Sequence, residues 1–173
     1  MKKKIIKLSI ISIIFFIIGV FFVSLNKSSF YDTKNLEGQK LKNVKLNHFT
    51  TNKLILEKDL KKSEFTLINF WASWCGPCLV EHPFLLKLKG EKNLQLIGVN
   101  FKDKKNSAIS FLNKYGNPYD ELAKDKLGKH SINFGIYGIP ESILISKDLI
   151  IIKKFIGPIT DQGYIDIKNI LKE

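Results

Sequence analysis

The sequence predicts an α/β domain, with a mixed sheet flanked by helices, preceded by one N-terminal membrane-spanning helix. From residue 65 onwards, short apolar runs rich in β-forming residues alternate with segments of helical periodicity. Two further apolar runs near the C-terminus are joined by a polar dipeptide, which is typical of a hairpin. Such elements bury their apolar faces economically as a mixed sheet with helices on both sides.

The membrane helix is predicted by charge and length. The first seven residues, MKKKIIK, carry four lysines, and the 18 residues of 8–25 follow without a charge. A helix of this length spans about 27 Å, close to the ~30 Å hydrocarbon layer of a bilayer. The exit at 22–26 lacks the small-residue pattern of a cleavage site, so we favour an uncleaved anchor over a cleaved signal peptide. The short N-terminus favours export of the remainder of the chain, so we expect a single-pass inner-membrane protein with its C-terminal domain in the periplasm.

The composition excludes several classes of protein. The length of 173 residues suits one domain with an appendage. All 28 basic residues are lysine, and the formal charge is +12, but specific nucleic-acid sites rely on the bidentate fork of arginine. We therefore expect no nucleic-acid partner. Two cysteines are too few for a multi-bridge scaffold or a four-cysteine zinc site.

Three segments are predicted along the chain: an N-terminal stretch and anchor at 1–25, a polar lysine-rich tether at 26–45, and the α/β domain at 46–173. In the helix predicted at Asn106–Tyr115, we expect Ile109 and Leu112 to point inward. The predicted elements are strands at Phe65–Trp71 and Leu94–Phe101, helices at Cys75–Gly90, Asn106–Tyr115 and Asp161–Leu171, and a hairpin of Glu141–Ser146 and Leu149–Ile156.

The motif Trp74-Cys75-Gly76-Pro77-Cys78 lies between a predicted buried strand and the start of a helix. A thiolate at this position is stabilised by unpaired N–H groups and the positive end of the helix dipole, which predicts Cys75 as a nucleophile. Cys78 follows about one turn later and is placed to resolve a mixed disulfide at Cys75.

Other uses of the two cysteines fit less well. A zinc site would have only His82 as a further nearby ligand, and covalent haem attachment would need histidine where Leu79 stands. A purely structural disulfide would close too short a loop to stabilise much. A redox role is therefore favoured.

This pattern resembles a known family. The WCGPC motif after a buried strand, with Gly138-Ile139-Pro140 before the hairpin, resembles the thioredoxin fold. Other motifs are similar to the DsbE/CcmG family of cytochrome c maturation reductases, and the resemblance runs from about residue 46 to the C-terminus. These motifs are WASWC, Glu81-His82, GVNFKD at 98–103, AISFL at 108–112, GNPY at 116–119 and GIYGIPE at 135–141.

The resemblance implies a periplasmic dithiol that keeps the haem-binding cysteines of apocytochrome c reduced, with apocytochrome c or a thiol-handling maturation partner as client. A membrane electron donor of the DsbD or CcdA type would recharge it, and neither a cofactor nor a metal is expected. Two alternatives stay open. One is a general extracytoplasmic reductase of the ResA or TlpA kind, and the other is a non-catalytic module that binds apocytochrome.

The resemblance also assigns site residues. Cys75 and Cys78 match the redox disulfide, and Pro140 matches a cis-proline facing it. Where thioredoxins carry a buried aspartate, this chain has Asn69, which cannot titrate. Glu81 is our candidate for accepting the Cys78 proton, with a solvent-exposed carboxylate as the alternative, and Glu141 is the second candidate. The residues expected to line the substrate groove are Trp74, Tyr137, Pro140 and Glu141.

Overall fold

A computed structural model describes residues 2–26 and 36–172 of the protein. The strands are β1 (Lys45–His48), β2 (Leu54–Leu56), β3 (Phe65–Trp71), β4 (Leu94–Phe101), β5 (Glu121–Asp125), β6 (Glu141–Ser146) and β7 (Ile151–Ile156). The helices are α1 (Lys2–Asn26), α2 (Gly76–Leu88), α3 (Lys105–Tyr115), α4 (Lys129–Asn133) and α5 (Asp161–Ile170), with a 3₁₀ helix at Glu57–Lys61.

The strands form one mixed sheet in the order β2-β1-β5-β4-β3-β6-β7. Strands β3, β4 and β5 are parallel, and the other neighbouring pairs are antiparallel. The core lies on both faces, because side chains of β3 alternate between two apolar clusters. Leu67 and Trp71 belong to the cluster that includes residues of α2, α3 and α5, whereas Ile68 and Phe70 belong to the other. The predicted mixed sheet flanked by helices is confirmed.

The two long strands have the predicted bounds, and the helix bounds differ by one or two residues. The prediction for the inward face of α3 is wrong in one position: Ile109 is 37% exposed. The buried residues of this helix are Ala108, Phe111 and Leu112, and this stripe leaves Ile109 at its edge. The sequence prediction did not include β1, β2, β5, α4 or the 3₁₀ helix, which are all five residues or shorter.

The predicted tether is too long. Residues 36–45 pack against the domain, where the Gly38 N–H donates to the Ile151 carbonyl at 2.8 Å and the Leu41 N–H donates to the Leu149 carbonyl at 2.8 Å. Val44 is 4% exposed and belongs to the second apolar cluster, against which Leu36 also packs. The domain therefore includes this segment, because its apolar side chains cover a sheet face that would otherwise be exposed. Residues 27–35 of the predicted tether lie outside the described residues.

Helix α1 contains a stretch, Lys4–Val23, of mean hydropathy 2.7. Its 20 residues are long and apolar enough to cross a membrane, by length and composition.

Two truncations test where the domain begins. A chain starting at residue 26 should fold cooperatively, whereas one starting at residue 46 should lose at least about 3 kcal/mol in free energy of unfolding. The second truncation removes Val44, which is buried, together with Leu36 and Leu41, which are partly buried against the same cluster. An apolar side chain of this kind contributes about 1.5–3 kcal/mol when fully buried and less when partly buried. Urea unfolding of both proteins measures the difference. Equal stability would show that this segment adds nothing to the domain.

Candidate active site

The two cysteines lie where the central strand passes into α2. Cys75 is the N-cap of that helix, and its Sγ accepts a hydrogen bond from the Cys78 N–H at 3.2 Å. Pro77 stands in the first turn, where its missing N–H removes no helical hydrogen bond. The two Sγ atoms are bonded to each other, so this is the oxidised state of the pair. The contact from a backbone N–H is the kind of interaction that stabilises a thiolate at Cys75.

The loop before Cys75 is held by a carboxylate that follows β4. Asp103 accepts hydrogen bonds from the Ser73 N–H at 2.7 Å and from the Ser73 hydroxyl at 2.9 Å. The Trp74 indole donates to the Lys102 carbonyl at 3.2 Å, while 59% of this residue remains exposed. The Asp103 carboxylate thus holds the segment that leads into Cys75, and the Trp74 ring remains exposed beside the redox pair. Asp103 closes the GVNFKD motif, but the sequence prediction gave it no role.

Pro140 lies at the same edge of the sheet as the cysteines. The Ile139–Pro140 peptide bond is cis, as the sequence predicts. Strand β6 pairs with β3 in antiparallel register, with Glu141 opposite Phe70, so the residue before Glu141 lies near the end of β3 that leads to Cys75. Tyr137, which is 71% exposed, precedes this turn.

Glu141 holds the turn before Pro140 in place. One carboxylate oxygen accepts from the Gly138 N–H at 3.0 Å and the Tyr137 N–H at 3.3 Å, and the other pairs with the Lys154 ammonium at 2.8 Å. The Lys154 ammonium also donates to the Gly135 carbonyl at 2.6 Å. Both side chains of the ion pair are buried, so removing one partner would leave an uncompensated charge in the interior. No sequence pattern indicates a role for Lys154, because it lies in an apolar run of the hairpin.

Glu81 has no exposed surface, so the alternative of a solvated carboxylate is wrong. One oxygen accepts from the Asn69 side-chain amide at 2.7 Å, and the other accepts from the Ile159 N–H at 2.9 Å. Burial raises the pKa of Glu81 to about 7, and the two hydrogen bonds oppose that rise. The group lies on α2 one turn after Cys78, which is 2% exposed. A carboxyl group of this pKa exchanges protons near neutral pH.

In α2 the polar His82 is buried, whereas the apolar Leu79 and Val80 are exposed. His82 is 3% exposed and its Nε2 lies 2.9 Å from the Gly116 carbonyl, while its ring meets Phe111 edge-on. Burial lowers the pKa of His82. In contrast, Leu79 and Val80 are 39% and 65% exposed. The apolar surface of this turn thus points outward, next to the cysteines.

The cysteine pair at the start of α2, the cis-proline beside it and the mixed sheet define a thiol-disulfide oxidoreductase of the thioredoxin superfamily. A family model described as Redoxin matches residues 35–171. The chain belongs to that family and, within it, to the DsbE/CcmG group of thiol:disulfide interchange proteins.

Individual relatives show how far the similarity extends. The thiol:disulfide interchange protein DsbE of Vibrio cholerae is 30% identical over 169 residues, which cover 95% of this chain and 91% of that protein. HelX of Rhodobacter capsulatus is 35% identical over 127 residues, covering 73% and 72% of the two chains. CycY of Rhizobium leguminosarum is 44% identical over 100 residues, and the match spans about half of its length, 54%. A crystal structure described as a DsbE protein from Chlorobium tepidum has a TM-score of 0.65 and 26% identity, and the match covers 79% of this chain and 96% of that one.

The raised pKa of Glu81 predicts a pH-dependent stability. The group carries its proton in the folded state between pH 4.5 and about 7, where the unfolded chain has released it. Its contribution is therefore fully present below about pH 4.5 and is lost as the pH rises through about 7. Relative to Glu81→Gln, the oxidised wild type should lose on the order of 3 kcal/mol of unfolding free energy between pH 4.5 and 8.

Urea unfolding at several pH values measures this difference. The exposed Glu64→Gln variant is the matched control and should differ from wild type by a constant amount across the same range. A constant difference for Glu81→Gln as well would show that Glu81 has an ordinary pKa.

Proposed function

We propose that this protein is a membrane-anchored periplasmic dithiol reductase that keeps the haem-binding cysteines of apocytochrome c reduced. The observation that carries the proposal is the redox pair at the N-terminus of α2 with a buried carboxyl one turn further on. The resemblance to cytochrome c maturation reductases supplies the client. Helix α1 fits the anchor by its length and composition, and it would keep the domain at the inner membrane.

In the first step, the Cys75 thiolate attacks one sulfur of a client disulfide. A mixed disulfide forms, the client S–S bond breaks, and the other client sulfur leaves as a thiolate. Cys75 is assigned this role because its Sγ receives the Cys78 N–H at the start of α2, so the geometry favours the thiolate there.

In the second step, Cys78 must lose its proton before it attacks Cys75. We assign that proton to Glu81, which lies one turn along α2 and has a pKa of about 7. The Cys78 thiolate then forms the Cys75–Cys78 disulfide, and the second client sulfur leaves as a thiolate. Two electrons have passed to the client. Glu141 is less suited to this role, because its carboxylate pairs with the buried Lys154 ammonium, whereas the hydrogen-bond donors to Glu81 are neutral.

The client would dock on the exposed surface around the pair. Trp74 and Tyr137 stand on the two loops that precede Cys75 and Pro140, and both are more than half exposed. Glu141 sets the backbone of the second loop through the Tyr137 and Gly138 N–H groups. Pro140 lies at the end of that loop, where an extended segment carrying the client cysteines would pass.

A membrane electron donor of the DsbD or CcdA type would return the pair to the dithiol form. Donor and client must approach the same face of the domain, because both exchange reactions take place at Cys75, which is the nucleophile in one reaction and is regenerated in the other. Attachment through α1 would hold the domain at the membrane in which such a donor lies.

A trapping experiment tests the roles of the two cysteines. Cys78→Ser should accumulate mixed disulfides with a peptide that carries an oxidised C-x-x-C-H motif, because the adduct at Cys75 is no longer resolved. Cys75→Ser should trap none. Non-reducing gels and mass spectrometry of the adduct identify the sulfur involved.

The same peptide separates the alternatives. Wild type should reduce it in repeated turnovers with a chemical reductant, whereas a binding module would hold it without turnover. Equal rates for C-x-x-C peptides without the histidine would favour a general reductase of the ResA or TlpA kind. Adducts that form only through Cys78 would overturn the assignment of the nucleophile.

A further inference from the structure

A chain of buried polar side chains links Glu81 to a residue with no predicted role. The Tyr119 hydroxyl donates to Oδ1 of Asn69 at 2.7 Å, and Nδ2 of Asn69 donates to Oε1 of Glu81 at 2.7 Å. These three residues are 4%, 0% and 0% exposed. Nδ2 of Asn69 also donates to the Ser142 hydroxyl at 2.9 Å.

The orientation of the Asn69 side-chain amide decides whether its N–H group or its oxygen faces the Glu81 carboxyl. In the observed arrangement an N–H group faces the carboxyl and stabilises its charged form. With the amide rotated by half a turn, Oδ1 would face that carboxyl and would favour the protonated form instead. The Tyr119 hydroxyl selects the first arrangement, because it donates to Oδ1 on the side away from Glu81.

Tyr119 remains a donor throughout the neutral range. Burial, and secondly the nearby charge of Glu81, raise the pKa of Tyr119 well above its ordinary value. The partners of Glu81 on the sheet and before α5, namely Asn69 and the Ile159 N–H, are neutral. On α2 itself, the titratable neighbours are the thiols of the reduced cysteine pair and His82, whose Nε2 is directed at the Gly116 carbonyl.

The position of the Tyr119 ring does not depend on its hydroxyl. The ring stacks on Trp71 with centroids 5.6 Å apart. It also lies so close to Gly98 that a Cβ at that position would come within 2.7 Å of ring atoms. Packing therefore fixes the ring, and removal of the hydroxyl alone is a clean perturbation.

We propose that Tyr119 is a positioning residue, which orients the Asn69 amide so that Asn69 donates to Glu81 and keeps this carboxyl ready to accept the Cys78 proton. The proposal rests on the proposed function, since the proton step is the one that the network serves. Loss of the hydroxyl leaves Oδ1 of Asn69 without this donor and frees the amide to turn its oxygen towards Glu81.

The test is an NMR titration of the Glu81 side-chain carboxyl carbon, labelled with ¹³C, in the oxidised full-length protein in detergent. Tyr119→Phe should raise the midpoint by about 0.5–1 pH unit, which corresponds to the net contribution of one ordinary hydrogen bond between neutral groups. Tyr115→Phe is the matched control, since its hydroxyl lies outside this network. It should leave the midpoint unchanged.

A second probe guards against an unstable variant. Fluorotyrosine at position 119 makes the hydroxyl a stronger donor, so the midpoint should move down instead of up. An unchanged midpoint with either substitution, or an equal shift with Tyr115→Phe, would overturn the proposal.

Kinetics separate this proposal from the proposed function. In Tyr119→Phe, release of the mixed disulfide at pH 7 should slow about threefold and its pH profile should move with the Glu81 midpoint, while the initial attack should keep its rate. If the midpoint moves and the release rate does not change with it, the positioning role stands and the proton step through Glu81 fails.

Discussion

The buried carboxyl of Glu81 is the constraint on which the arrangement of the site depends. A carboxyl group with no solvent exposure is tolerated only where hydrogen-bond donors replace water. Here the donors come from two separate elements, Asn69 on the central strand and the N–H of Ile159 just before α5. The sheet, the redox helix and the C-terminal segment therefore meet at one group, which is also the group to which we assign the Cys78 proton.

The remaining parts of the site depend on the same sheet edge. The central strand β3 delivers Cys75 to the start of α2, and the antiparallel strand β6 begins beside it with the cis-proline turn. Asp103 holds the first of these loops and Glu141 holds the second. Two acidic groups thus stabilise the loops around the disulfide, and the third, Glu81, lies one turn after Cys78 on α2. We expect a client to reach the pair along the exposed surface that carries Trp74 and Tyr137.

The sequence predicts this site to the extent that the signal is local. The helix N-terminus, the cysteine spacing and the proline before a strand are short-range patterns, and the structure places them as predicted. Long-range partners leave no such pattern: nothing near Lys154 or Ile159 in the chain indicates that they contact Glu141 and Glu81. Gly98, in the middle of a buried strand, was a signal for a close approach, and the ring that approaches is that of Tyr119. The prediction lacks the short strands β1, β2 and β5 because strands of this length carry little periodicity. It places residues 36–45 in a tether because their apolar positions are few.

The central claim, that Glu81 takes the proton of Cys78, is tested most directly by stopped-flow kinetics of Glu81→Gln from pH 6 to 9, with attack and release followed separately. At pH 7 release should be at least about tenfold slower than in wild type, because a positioned base contributes ~10²-fold or more in favourable cases. The loss should diminish towards alkaline pH as Cys78 ionises near the ~8.5 of a free thiol, and the attack step should be unaffected. Unchanged release, or equal slowing of both steps at every pH, would contradict the account.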